Sequence, residues 1–272
     1  MIFRRIACVP QCPGARECDL RISCPYARMF EPSAISNGPS GFADWPRPFV
    51  FRATHLDGHT VVPGAKFSFD LNLFDMRNPA VAYLVLAFLQ LANEGLGPRR
   101  GRAELVEVTR VDTGARIYDG TVLLRHDEAP MVLRLDASHE RAERVRVQFV
   151  TPTELKSGQQ LADRPEFAVL AGRIRDRLSK LRELYGDGPL EIDFRGFGER
   201  AAQVRMTRCD LTRVDIDRRS SRTGHFHSIG GFVGEAEYEG DLIEFIPYLR
   251  AAKWTGVGRQ TVWGKGELSF SF

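Results

Sequence analysis

The sequence predicts an α+β chain of two tandem ferredoxin-like domains, and three observations predict it. Residues 138–272 read strand, helix, strand, strand, helix, strand, which is the ferredoxin-like order. Residues 1–137 read helix, strand, strand, helix, strand, the same order with its first strand missing. Each half also carries a Gly-x-Gly element between its second helix and last strand, Gly95-Leu96-Gly97 and Gly256-Val257-Gly258. A matched feature at matched topology argues for an internal duplication.

In chain order, residues 2–7 read as the end of a helix, and residues 8–45 as a cysteine-rich, loop-like insert. Strands are expected at 48–54 and 66–74; the second alternates Phe67, Phe69, Leu71 and Leu73 against polar neighbours. Asn78-Pro79 opens a buried helix to Asn93, a strand covers 103–112, and Thr113-Gly114 begins a hairpin-like excursion. In the second half a strand at 145–150 leads through Thr151-Pro152-Thr153 into a loop. The helix over 165–185 places Phe167, Leu170, Ile174, Leu178, Leu181 and Tyr185 on one face. Strands follow at 203–217 and 225–238, then a helix to Lys253 with Asp241 and Glu244 as its capping box. The closing strand is 259–272. In this fold the first strand lies between the third and the last, so its loss would strand backbone groups in the first half. The expectation is that residues upstream of Met1, or another segment, fill that place.

A length of 272 residues suits one large domain or two ordinary ones. Net charge is +3, too small for a polybasic coat on nucleic acid. Of the 38 basic residues 33 are arginine, whose planar fork suits phosphates and bases, although a G+C-rich genome gives the same bias. The longest apolar run, 80–92, is too short to span a bilayer, and no signal peptide opens the chain. A cytoplasmic protein without a membrane partner is expected.

Three groups of residues are candidates for chemistry. Gly256, Gly258, Gly264 and Gly266 form two Gly-x-Gly pairs five residues apart. Such glycines take positive φ and let backbone N–H groups cradle a phosphate. Lys253, Arg259 and Lys265 add charge there, and Trp254 and Trp263 offer flat faces for a base. The pattern is neither a P-loop nor a dinucleotide fingerprint; the plain alternative is a turn-rich β segment. Cys8, Cys12, Cys18 and Cys24 are spaced C-x3-C-x5-C-x5-C. In a cytosolic chain that points to a structural metal, zinc or alternatively an iron–sulfur cluster, with unmetallated thiols as the third reading. Finally, His225 and His227 alternate on a strand, with Phe226 in the parity of Phe232, Ala236 and Tyr238. Arg218-Arg219-Ser220-Ser221-Arg222 precedes them, and a solvated hairpin tip is the alternative for this stretch.

The ordered set from Gly230 through Pro247-Tyr248-Leu249-Arg250 to the glycine pairs resembles the RAMP superfamily of CRISPR-associated RNA-binding proteins. It looks like the C-terminal domain of the endoribonucleases that process CRISPR repeat RNA, strongly from about Val145 and more weakly before it. Arg218–Arg222 resembles the Arg-x-Ser-x-Arg run before the third strand of that domain. The resemblance implies two tandem ferredoxin-like domains and CRISPR repeat RNA as partner, with other CRISPR-associated proteins as further partners. It implies cleavage by the RNA's own 2′-OH with no catalytic cofactor, and RNA contacts from Arg219, Arg222, Lys253, Gly256, Gly258, Arg259, Gly264, Lys265 and Gly266. In many relatives the catalytic histidine lies early in the first domain, and nothing here matches it. His225 and His227 are the catalytic candidates by position. The alternatives are a non-catalytic RNA-binding RAMP subunit and a small-nucleotide binder using the glycine loop.

Overall fold

A computed structural model describes residues 2–35, 45–75, 80–124, 129–136, 141–158, 160–215, 217–219, 226–228 and 230–272. Its elements begin with α1 (Ile2–Ala7), α2 (Pro25–Phe30), β1 (Phe49–Arg52), β2 (Asp70–Leu73) and α3 (Ala80–Glu94). Next come β3 (Val108–Thr109), β4 (Arg116–Tyr118), β5 (Arg144–Thr153), β6 (Lys156–Ser157), β7 (Gln160–Leu161) and α4 (Phe167–Tyr185). The chain closes through α5 (Phe194–Ala201), β8 (Arg205–Val214), β9 (Asp217–Arg219), β10 (Phe226–Ser228), β11 (Gly231–Glu239), α6 (Ile246–Thr255) and β12 (Leu268–Ser271). They group into two units, residues 1–48 with 74–132, and residues 49–73 with 133–272. This division differs from the expected one in placing β1 and β2 with the second half.

The second unit is built on a four-stranded antiparallel sheet ordered β12-β5-β11-β8. By order of appearance that is 4-1-3-2, with the first strand between the third and the last as the sequence requires. β5 alternates along its length: Val145, Val147, Phe149, Thr151 and Thr153 are buried, while Arg144, Arg146 and Gln148 are exposed. α4 buries Phe167, Leu170, Ile174, Leu178, Leu181 and Tyr185, the face that the helical period predicts. Each such side chain contributes about 1.5–3 kcal/mol by leaving water. Phe167 packs edge-on against Tyr238 and Phe245, and Phe197 continues the chain of rings to Tyr248. The buried Tyr238 hydroxyl donates to the Pro165 carbonyl at 2.7 Å, so no polar atom is stranded among these rings. On the opposite face Arg146 pairs with Glu237 at 2.8 Å and Arg144 with Glu239, which leaves that face charge-matched.

Several local expectations change. α5 escapes a reading by pattern because Gly196 and Gly198 lower its propensity; Asp193 caps it by accepting from the Gly196 N–H at 2.9 Å, and buried Phe197 anchors it. The Asp241/Glu244 capping box does not form. Asp241 accepts from the Ile243 N–H in a turn, Glu244 is held by Arg200 at 2.6 and 2.7 Å, and α6 starts only at Ile246 with a proline in its first turn. β5 runs on through Thr153 where a loop was expected, and the closing strand shrinks to 268–271. Cys209 is half-buried on the edge strand β8.

The first unit packs α1, α2 and α3 together, with Phe3 against Phe30 and Tyr83 at ring-centroid distances of 5.0 and 6.2 Å. Arg28 and buried Asp75 pair at 2.5 Å. The strand expected at 103–112 contracts to β3, which pairs with β4 across the Thr113-Gly114 turn. β1 and β2, the strands assigned from sequence to a first ferredoxin-like sheet, pair with each other, Phe49 opposite Leu73 through Arg52 opposite Asp70. Among the described residues of the first unit no four-stranded sheet is present.

Candidate nucleic-acid interface

The glycine-rich loop follows α6 and closes on its own chain. Gly256, Gly258, Gly264 and Gly266 all have positive φ, at 67, 82, 84 and 68°. This is the left-handed backbone that glycine takes without a Cβ penalty. The N–H groups of three of the four, Gly256, Gly264 and Gly266, are however spent inside the protein, with those of Val257 and Arg259. Gly256 donates to the Ala252 carbonyl, Val257 to Gly266, Arg259 to Glu154, Gly264 to Thr261 and Gly266 to Pro152, at 2.8–3.3 Å. The loop is thereby docked on the end of β5, where Thr151 Oγ1 donates to the Gly264 carbonyl and accepts from the Glu267 N–H, each at 2.9 Å.

The glycines are needed for this self-closure. A Cβ at Gly266 would stand 1.8 Å from the Val257 carbonyl oxygen, and one at Gly258 would stand 2.4 Å from that of Glu154. An open phosphate cradle made by Gly256, Gly264 and Gly266 is therefore corrected: their donors already have carbonyl partners. Lys265 is corrected in the same way. It is 4% exposed, and its Nζ donates to the Gly230 carbonyl and, at 3.0 Å, to Gln260 Oε1. Burial lowers its pKa, and Arg259 adds to that while Glu154 opposes it. Lys253, Arg259 and Trp263 stay exposed on the outer side of this region. Arg259 is held over the loop by Glu154 at 2.6 Å.

β9 and β10 form a two-stranded antiparallel ladder that pairs His227 with Arg218 and Phe226 with Arg219. His225 and Arg222 lie outside the described residues. The register thus brings Arg218, a residue the sequence offered no reason to prefer over Arg219, opposite His227. A further histidine, His55, belongs to no sequence motif. Exposed His55 stands on the single turn 54–56 after β1, with Nε2 2.8 Å from the Ser68 carbonyl, and neighbouring Thr54 donates to Glu267 at 3.2 Å.

Cys8, Cys12, Cys18 and Cys24 all line one cavity of about 160 Å³ between α1 and α2. Among the described residues no three His, Cys, Asp or Glu side chains are arranged to hold a metal ion. The four thiols are neighbours about this cavity without forming such a set, and the metal expected from their spacing is left to a zinc-protection experiment.

The sheet order and the loop after its second helix define a ferredoxin-like domain with a C-terminal glycine-rich loop. Residues 147–268 match the model of the CRISPR-associated endoribonuclease Cas6, and residues 1–130 match that of a separate family described as an N-terminal domain. Residues 147–268 thus form a domain of the CRISPR-associated endoribonuclease Cas6 family. Among solved structures it is similar to Cas6 of Thermus thermophilus in a product complex, at 17% identity, with 91% of this chain and 89% of that one covered and a TM-score of 0.55. A second Cas6 product complex is similar at 18% identity over 83% of this chain and 85% of that one, with a TM-score of 0.44. No curated protein matches the chain. The resemblance read from Val145 onward is borne out, and among the described residues no helix is long and apolar enough to cross a membrane.

Proposed function

We propose that the chain cuts CRISPR repeat RNA by attack of the RNA's own 2′-OH, leaving a 2′,3′-cyclic phosphate and a 5′-OH. The observation that carries this reading is the Cas6 match over 147–268, which spans α4, β8, β11, α6, the glycine-rich loop and most of β5. The reaction needs a base for the 2′-OH, an acid for the leaving 5′-oxygen and cations beside the phosphate. Histidine serves as either near neutral pH, at a typical gain of ~10²–10⁴-fold. His225 and His227 are assigned that duty, with Arg219 or Arg222 stabilising the charged phosphorane. In the backbone register Arg218 stands opposite His227. The nucleophile is internal and already held near its target, so the mechanism calls on no divalent ion. A small-nucleotide site in the glycine loop is disfavoured, since the N–H groups of Gly256, Gly264 and Gly266 are engaged.

Labelled repeat RNA incubated with the full chain in EDTA should be cut, and a single 2′-deoxy substitution at the scissile nucleotide should stop the reaction. Cleavage of that deoxy substrate would remove the mechanism. His225→Ala and His227→Ala should each slow cutting at least tenfold with RNA affinity retained. If both cut at the wild-type rate, the catalytic group lies elsewhere, and His55→Ala is the next variant to assay.

A further inference from the structure

The cysteine-rich segment of the first unit holds nucleophiles that the nuclease reading does not use. Cys8 follows α1, and its N–H donates to the Arg4 carbonyl at 2.9 Å, which carries the helical turn past Ala7. The chain then reverses through exposed Val9, Pro10 and Gln11, and the Cys12 N–H donates back to the Val9 carbonyl at 3.1 Å. Arg4 fixes this reversal by donating from Nη2 to the Cys12 carbonyl at 2.8 Å. The Cys12 thiol thereby comes into hydrogen-bond contact with that of Cys8. Cys24, the residue before α2, touches Cys8 as well. Cys8 is the thiol that both contacts share.

Among the described residues no three such side chains are arranged to hold a metal ion, but two adjacent thiols suffice for a disulfide. That chemistry needs one sulfur that meets the oxidant and a second within reach of the first. Cys12 is placed for the first part. It lies between exposed Gln11 and Pro13, and the Gly14 N–H and the Arg4 guanidinium beside it favour the thiolate, the nucleophilic form. Cys8 is placed for the second, since it already touches Cys12. Both are free and half-buried on the wall of the same cavity, so neither is sealed from a small reagent.

We propose that Cys12 and Cys8 form an internal disulfide by exchange with a small-molecule disulfide of the glutathione kind, which makes this turn a reversible modification site. The Cys12 thiolate attacks one sulfur of the oxidant and expels the other half as a thiolate. Cys8 then gives its proton to water, attacks Cys12 Sγ and expels the second half. One S–S bond breaks and one forms, two electrons pass to the oxidant, and the two expelled thiolates take up the protons that Cys8 and Cys12 lost.

The test equilibrates the full chain in glutathione buffers of rising oxidised fraction, quenches with acid, alkylates the remaining thiols and maps tryptic peptides. Cys8 and Cys12 share the peptide between Arg5 and Arg16, whereas Cys18 and Cys24 fall on two others. The expected product is that first peptide, bridged within itself and reopened by dithiothreitol. Cys24→Ser should keep the bridge. Cys8→Ser should instead trap Cys12 as its mixed disulfide with glutathione, roughly tenfold enriched over wild type. Should Cys8→Ser fail to fold, the wild-type map decides alone. A wild-type map in which Cys12 stays glutathionylated, or in which Cys8 is bridged to Cys18 or Cys24, overturns the proposal. So does one in which all four thiols resist oxidation, with or without a copurified metal.

Discussion

The glycine-rich loop and the cysteine-rich segment carry the two most ligand-like motifs of the chain, and they are finished differently. In the loop the N–H groups of Gly256, Gly264 and Gly266 have found carbonyls, and the lysine that looked ready for RNA points inward to Gly230. In the segment around Cys8 the thiols gather about one cavity and stop short of a ligand set. The difference teaches that spacing alone does not decide whether a polar group faces a ligand. Backbone donors near a strand end are satisfied wherever a carbonyl is within reach, because a buried unpaired donor is costly. Thiols are weak donors under no such pressure, so their chemistry remains unspent.

The sharpest way to break this comparison is at Gly266. Its φ of 68° and the Val257 carbonyl 1.8 Å from a built Cβ leave no room for a side chain. Gly266→Ala should cost roughly 3 kcal/mol, summing a left-handed residue at ~1–2 and overpacking at ~1–3. Gly264→Ala is the control: φ is 84°, the nearest atom is the Phe51 carbonyl at 3.4 Å, and about 1–2 kcal/mol is expected. Chemical denaturation of both variants measures the gap. Equal costs would mean that the loop is not closed on Val257. The same geometry means that valine at Gly256 or Gly258 unsettles the fold before it reports on RNA.

Next in size is Lys265→Met. It removes the donor to the Gly230 carbonyl and to Gln260, and should cost ~1–2 kcal/mol for the stranded acceptors. Affinity for repeat RNA should stay within about twofold, because the ammonium is turned away from solvent. A large loss of affinity from a fully folded variant would return Lys265 to the RNA surface.

How much of this was legible in the sequence follows the same line. The β5-α4-β8-β11-α6-β12 order, the buried face of α4 and the positive φ of four glycines are properties of local pattern, and pattern was enough to read them. α5 was missed because Gly196 and Gly198 hide a helix that Phe197 anchors through tertiary packing. The inward turn of Lys265 depends on Gly230, 35 residues earlier, and the carbonyls at the end of α6 are capped by Arg52 and Arg177, 201 and 78 residues before the residues they meet; no periodicity carries either. The pairing of β1 with β2 was implied by their adjacency, but their grouping with the second unit was not.

The cysteines allow a contrast within one cavity. Burial pushes the Cys8 thiol up to about 12, helped by Cys24 and Cys12 beside it. Cys12 lies below the ordinary thiol range, since the Gly14 N–H and then Arg4 favour its thiolate. At neutral pH the thiolate is the reactive form, so iodoacetamide should label Cys12 at least tenfold faster than Cys8. Peptide mapping against time reads the ratio, and equal rates would refute the electrostatic difference. Repeating the map with zinc tests the sequence expectation directly. Protection of all four thiols restores a metal site there, and unchanged labelling dismisses it.

The smallest expected effect on stability, and the one that separates the loop's two faces, is at Arg259. Its guanidinium is exposed, and its ion pair with Glu154 at 2.6 Å is of the surface kind that contributes ~0–1 kcal/mol. The main-chain bond from the Arg259 N–H to the Glu154 carbonyl does not depend on the side chain, so the loop should keep its shape in Arg259→Ala. Folding stability should fall by less than ~1 kcal/mol. RNA binding is where the loss should appear. An exposed arginine beside exposed Trp263 and Lys253 is placed to meet a phosphate, and removing it should lower the log–log salt slope by about one contact, ~0.7–0.9. Glu154→Gln frees the same guanidinium from its carboxylate and should tighten RNA binding modestly, the opposite sign. If Arg259→Ala leaves both affinity and salt slope untouched while Lys265→Met reduces them, the loop binds RNA through its inner face, and the reading of that loop as closed on itself fails.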